Sequence, residues 1–457
     1  MTRRDLLAGL MATASSAGIV RAAPPAFRLA TFHADVTVPL GHGMMGGAWV
    51  SKRVADPLEA RGLVLLGGSA PVVLVVVDWC EIRNDAYERW QTALAAAAGT
   101  TRDRVLVTAI HQHDAPVADL TAERLLRDAK RPGSVCDPAF HERAVGRVAD
   151  ALKASLPTAR PITEIGTGRA KVERIASNRR YVAPDGAIRF DRMSRSTNAA
   201  AVAAPEGVID PWLRTLSFWD GDTPLAAVSA YAVHPMSHYG AGEVSADFPG
   251  LARRARQAAL PGVFQVYCSG CSGNVVAGKY NAGRPEDRPA LAGRLEAAMV
   301  EAWRVTERRP LRQVELRVER VRLDPRDGPG FSVAELDRKL RTDDRPFQQC
   351  LAALGLSWRM RADAGHRVEV PVIDFGVAQL LLLPGESYVE FQLAAQAARP
   401  DSFVVVAGYG EGATGYIPTE RHVAEGDGNL SDWCWVAPGS EERLLAAIRA
   451  ALRMPGK

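Results

Sequence analysis

Short apolar runs alternate with helix-patterned stretches along this chain, and that alternation limits what it can fold into. Residues 62–66 and 72–77 are two apolar runs around Gly67-Gly68-Ser69, the pattern of a strand pair. An alanine-rich stretch at 84–98 follows, with apolar residues at helical spacing, and then the β-branched run 105–110. Further helices are expected at 138–156, 250–259, 289–305, 387–398 and 440–452. Strands are expected at 215–219, 225–231, 262–267, 314–321, 368–375, 379–383 and 403–407. Strands alternating with helices imply an α/β chain, a mixed β-sheet core covered by helices on both faces. Residues 320–345, charged and punctuated by Gly and Pro, read as an excursion outside that core. No sequence repeat or linker is visible, so residues 23–457 are expected to form one catalytic-sized domain.

The first residues read as an address. Arg3-Arg4, a weakly apolar stretch at 6–20 and Val20-Arg21-Ala22 match a twin-arginine signal peptide, residues 1–22, cleaved after Ala22. The expected destination is the periplasm or the exterior. The apolar stretch is too short and too rich in small residues to remain as a membrane span, and no other segment approaches one. Removing residues 1–22 takes the formal charge from +4 to +2, and only 7% of residues are aromatic. Neither value suits a nucleic-acid partner. Cys268-Ser269-Gly270-Cys271 has no second metal-ligating pair, so it reads as a short-range disulfide or as two buried thiols.

The chemistry gathers where strands end. His111-Gln112-His113 follows the run 105–110, and side chains two apart on a strand share a face. Open α/β sheets place ligands at the carboxyl ends of their strands. Two such imidazoles suit a metal, but equally suit two hydrogen-bonded histidines at a strand end. His234-Pro235 follows the run 225–231, and Glu386 follows 379–383 at the expected start of a helix, where the helix dipole would steady its charge. Tyr416 follows 403–407 in a glycine-rich turn. Four strand ends thus offer two imidazoles, a carboxylate and a phenol.

These residues carry a resemblance to the neutral, non-lysosomal ceramidases, zinc-dependent amidases that cleave the N-acyl bond of ceramide. Gly43-Met44-Met45-Gly46-Gly47 is similar to the family's MMGY segment, and His111-Gln112-His113-Asp114-Ala115-Pro116 to its HTHSGP. Asp56-Pro57-Leu58-Glu59-Ala60-Arg61, Asn178-Arg179, Ala232-Val233-His234-Pro235, Leu383-Pro384-Gly385-Glu386 and Gly415-Tyr416-Ile417-Pro418-Thr419 also match, in the family's order, across roughly residues 30–440. The resemblance implies one zinc ion held by His111, His234, Glu386 and Tyr416. It implies that His113 faces the substrate and that Arg179 holds the oxyanion. The implied reaction is attack of zinc-bound water on an N-acyl amide, ceramide or a ceramide-like lipid.

The chain also departs from the family. In Gly270-Cys271-Ser272-Gly273-Asn274-Val275-Val276, Asn274 stands where the family has aspartate and Val276 where it has a serine near the zinc. Family members continue into a β-sandwich, whereas this sequence ends after a helix near Leu452. Two other readings are therefore carried forward: a zinc hydrolase of small amides, esters or lactones, and a non-catalytic relative that binds ligand or metal without turnover.

Overall fold

A computed structural model describes residues 27–452, so the twin-arginine segment lies outside the described residues. Three mixed sheets position the site. The first contains β1 (Arg28–Asp35), β2 (Glu59–Leu66), β3 (Val72–Val77), β4 (Val105–Ala109) and β5 (Arg160–Pro161), ordered β5-β1-β2-β3-β4. The second contains β6 (Glu164–Lys171), β7 (Trp212–Asp220), β8 (Thr223–Tyr231), β9 (Phe264–Ser269) and β10 (Glu307–Pro310), ordered β9-β8-β7-β6-β10. The third runs β11 (Glu315–Val321), β12 (Val368–Asp374), β13 (Ala378–Leu382) and β14 (Phe403–Ala407). The helices of ten residues or more are α1 (Asn84–Ala98), α2 (Pro138–Ser155), α3 (Asp247–Ala259), α4 (Asp287–Arg304), α5 (Val333–Thr342), α6 (Pro346–Asp363), α7 (Val389–Ala398) and α8 (Ser440–Ala451).

The chain traces one path three times. β2 and β3 pair antiparallel, α1 crosses over, and β4 returns parallel to β3. β7, β8, α3 and β9 repeat this, as do β12, β13, α7 and β14. The repeat lies in topology and has no counterpart in sequence, since each unit needs only apolar strands and a helix able to cover them. The carboxyl ends of the three returning strands are joined. Ala109 N donates to the Tyr409 carbonyl at 3.0 Å, Gly408 N to the Ser269 carbonyl at 2.8 Å, and Ser269 Oγ to the Ile110 carbonyl at 2.7 Å. Residues just beyond β4, β9 and β14 are thereby gathered in one place. A single buried apolar cluster includes Val75, Val228 and Leu381 from the three sheets.

One expectation is corrected and one open alternative is resolved. Residues 320–345 are no excursion: α5 buries Leu336 and Leu340, and α6 follows with Leu351, Leu354 and Trp358 buried. Charge on the outer face of α5 hides that inner stripe. The cysteine alternatives resolve toward thiols: all six cysteines are buried and free, and burial pushes Cys268 up to about 12.

One buried histidine here makes acid costly. His141 on α2 packs beside Trp79 and Trp90, with no partner on either ring nitrogen, and burial lowers it to about 4. Between its ordinary value, about 6.5, and about 4, the unfolded chain binds a proton that the folded chain refuses. Stability therefore falls as pH drops through that window, by about 3 kcal/mol from this group alone. Urea unfolding of His141→Phe at pH 7 and pH 4.5 is expected to show a shallower acid loss than the parent chain; an equal loss would exclude His141 as a source.

Candidate metal centre

The chain leaves β4 at Ala109 and turns at His111, whose φ of 69° lies in the left-handed region. Such backbone strain at a non-glycine residue is typical of functional loops. Strand alternation therefore stops before the two histidines and does not align them. The turn does so instead, leaving their rings 5.4 Å apart and nearly perpendicular beside one cavity.

His234 lies three residues beyond β8, and its backbone N–H donates to the Val275 carbonyl at 2.8 Å. Glu386 is not at a helix start, since α7 begins at Val389. It sits in a two-residue strand, Glu386–Ser387, paired parallel with Tyr416–Ile417, so that Glu386 stands opposite Tyr416. Backbone pairing, not a helix dipole, places this carboxylate. Gly415 makes the pairing feasible: its φ is 61°, and an added Cβ would come within 1.8 Å of the Trp433 carbonyl oxygen. Gly415→Ala is expected to destabilise the fold by about 3 kcal/mol. Thermal unfolding checks this, and an unchanged midpoint would contradict it.

Hydrogen bonds set the imidazole tautomers. His111 Nδ1 lies 2.9 Å from the Cys80 carbonyl oxygen and His234 Nδ1 lies 3.0 Å from that of Ser272. A carbonyl only accepts, so each Nδ1 carries the proton and each Nε2 presents a lone pair. Those two Nε2 atoms are 3.0 Å apart. Glu386 Oε2, which has no hydrogen-bond donor, lies 3.1 Å from the first and 3.5 Å from the second. Three buried electron pairs thus converge, an arrangement that demands a cation. Donors about 2.0–2.1 Å from a tetrahedral ion sit about 3.3–3.4 Å from one another, close to these spacings. His111, His234 and Glu386 can hold a metal. Cys80, His111 and His113 also lie within reach of one ion, but burial raises the Cys80 thiol and keeps it protonated.

Burial drives His113 and His234 well below the ordinary histidine value, so both are neutral near pH 7. Burial acts on His111 too, but without a cation its anionic surroundings, Glu386 among them, raise that imidazole, and a bound cation would displace the proton from Nε2. Tyr416 lines the same cavity, and its hydroxyl accepts from Arg179 Nη1 at 2.9 Å. Burial raises the phenol, and the Arg179 charge opposes this. Arg179 is itself buried, with its Nε unpartnered. The cavity is open to solvent, its free space of about 280 Å³ including part of that opening, and Met45, Cys80, Glu81 and Trp433 complete its lining.

No protein-family model matches this chain, and no curated protein matches it. Solved structures do. The neutral ceramidase from Pseudomonas aeruginosa aligns with a TM-score of 0.69 at 19% identity, over 95% of this chain and 76% of that one. The chain has the neutral ceramidase fold. A ceramidase complexed with C2 aligns similarly, with a TM-score of 0.68 at 18% identity over 93% of this chain and 75% of its own.

Within this ceramidase fold, the departures at Asn274 and Val276 have structural work. Asn274 Oδ1 accepts from Val389 N at 2.9 Å, capping α7, while its Nδ2 donates to Glu390 at 2.9 Å. Its carbonyl accepts from Arg179 N at 2.8 Å, so the segment positions Arg179 as well as His234. An aspartate would set a second carboxylate against Glu390. Val276 is buried in a two-residue strand opposite Ser177.

Three residues near the histidines escape the sequence reading. Ser272 orients His234 through its carbonyl. Tyr409 stacks on His111, ring centroids 4.1 Å apart, and its hydroxyl lies 3.3 Å from His234 Nδ1. Glu81 enters the cavity from the end of β3. Tyr409 occupies the place of His111 in its topological unit, and Glu81 that of Glu386, a signal that only the threefold path reveals.

Proposed function

We propose that this chain is a zinc-dependent amidohydrolase that cleaves an N-acyl amide bond. The observation that carries the reading is the convergence of the His111, His234 and Glu386 lone pairs beside a small cavity. Two imidazoles, a carboxylate and the Tyr416 phenol are nitrogen and oxygen donors of the kind zinc accepts. Zinc bound there would polarise a substrate carbonyl and lower the pKa of a water molecule toward about 7. Those four side chains would hold the ion in place. His113, neutral and with an unpartnered Nδ1, is placed to hydrogen-bond the substrate carbonyl or amide. Arg179 holds the Tyr416 hydroxyl and supplies positive charge where the carbonyl oxygen gains negative charge. Met45 and Trp433 give the acyl side an apolar wall.

Ceramide or a ceramide-like N-acyl amide is the first substrate class. The modest cavity volume favours a second, shorter amides or esters, which need no deep acyl channel. We further propose that the arginine-bearing leader directs export to the periplasm. Zinc-loaded protein assayed on a fluorescent N-acyl-sphingosine and on short N-acyl amides separates the two classes. No turnover of any amide or ester would leave the non-catalytic, ligand-binding reading.

A further inference from the structure

We propose that Glu81 is a specificity-determining carboxylate, selecting substrates that carry a hydroxyl or ammonium donor next to the scissile amide. This rests on the amidohydrolase reading of the site. The threefold path first singles the residue out. Four residues beyond β3 lies Glu81, three beyond β8 lies His234, and four beyond β13 lies Glu386. The strand end that supplies a donor to the metal cluster in two units supplies a carboxylate in the third. Glu81 does not join that cluster: its Oε1 approaches His111 at Nδ1, 4.0 Å away, on the ring side turned from Nε2.

The two oxygens of Glu81 are treated differently. Oε2 accepts from Arg83 Nη1 at 2.8 Å. Arg83 is fully buried and held in turn by Asp119, by the carbonyls of Gly412 and Ala413, and against the face of Trp435. Burial raises the Glu81 carboxyl, and Arg83 opposes this while fixing its orientation. Oε1 has no partner, although the side chain is only 2% exposed and lines the cavity beside His111, His113 and Glu386. A buried, unpartnered carboxyl oxygen on a cavity-lining residue is satisfied by a donor that the ligand brings. A ligand lacking that donor leaves the oxygen unpaired, and a carboxylate-bearing ligand meets like charge. Sites built this way discriminate by large factors.

Three isosteric octanamides test this: N-(2-hydroxyethyl), N-(2-aminoethyl) and N-propyl, with 2-hydroxy, 2-amino and 2-methyl octanamides as acyl-side counterparts. kcat/KM is measured on zinc-loaded protein, and binding by calorimetry on metal-free protein, where no turnover is needed. The parent chain is expected to prefer a donor-bearing probe over its alkyl isostere by about 100-fold. Preference for the amino probe identifies an ammonium partner; preference for the hydroxyl probe alone identifies an alcohol.

In Glu81→Gln, Arg83 claims the amide oxygen and turns the NH2 toward the cavity. Ammonium preference should then vanish and hydroxyl preference should fall about tenfold. Glu81→Leu should bring every probe within about fivefold of its isostere. Zinc content and unfolding midpoint of the Gln variant are expected to stay unchanged, which separates recognition from a ligand or structural role. Equal use of all probes by the parent chain, or a preference that survives Glu81→Gln, would overturn the inference. Absence of turnover alongside intact binding preference would instead remove only the amidohydrolase reading.

Discussion

Alanine at His234 is expected to leave a folded chain that no longer retains metal. His234 is fully buried, its Nδ1 proton is committed to the Ser272 carbonyl, and its Nε2 lies 3.0 Å from His111 Nε2 and 3.5 Å from Glu386 Oε2. Removing it deletes one of three convergent donors and opens a path for solvent between the other two. Zinc content should fall from about one per chain to below about 0.1, because the remnant keeps one imidazole beside Glu386 and the Tyr416 phenol and competes poorly with water and chelators. Amide hydrolysis should fall with it, by about 10⁴-fold or more. Elemental analysis after dialysis gives the first number, and steady-state assays the second. Full zinc occupancy in His234→Ala would show that the ion sits elsewhere.

The second large effect belongs to Arg179. Its guanidinium donates to the Tyr416 hydroxyl at 2.9 Å and lies 5.1 Å from the centre of that ring. Arg179→Met keeps much of the apolar stem while removing the charge and the donor. The expected result is a fall in kcat of about 10²–10³ with little change in KM, the signature of an interaction strengthened only as oxyanion charge develops. Zinc should be largely retained, since His111, His234 and Glu386 are untouched. A KM effect with unchanged kcat would instead make Arg179 an ordinary binding group. Loss of zinc along with activity would mean that its main task is to hold Tyr416 in place.

Much of this is legible in the sequence alone. The apolar runs at 72–77, 105–110 and 403–407 are short, β-branched and bounded by turns, and each is a strand. The strand-end residues His111, His234, Glu386 and Tyr416 do lie together, because a strand's carboxyl end is where an α/β sheet opens. For two of them, local sequence pattern suggests the wrong support. His111 leaves the strand through a left-handed turn, and Glu386 is held by a parallel bridge to Tyr416 rather than by a helix.

What could not be read depends on contacts between distant segments. Asn274 looks like a lost aspartate in sequence, but it caps α7 and supports Arg179 across more than 90 residues of chain. Glu81 looks like an ordinary residue before a helix, yet it lines the cavity, and Arg83 pins one of its oxygens while the other has no partner. Residues 320–345 look dispensable because their charge is visible locally, whereas the partner that buries Leu336 and Leu340 is the next helix. Composition reports which groups are polar. It does not report which polar groups are left unpaired.

The most direct test is to titrate metal-free protein with zinc while following hydrolysis of the N-acyl amide panel. The site described above predicts no turnover without metal, a rise that saturates at one zinc per chain, and loss of that rise in His234→Ala. Turnover indifferent to zinc, or none at any zinc loading, would contradict it.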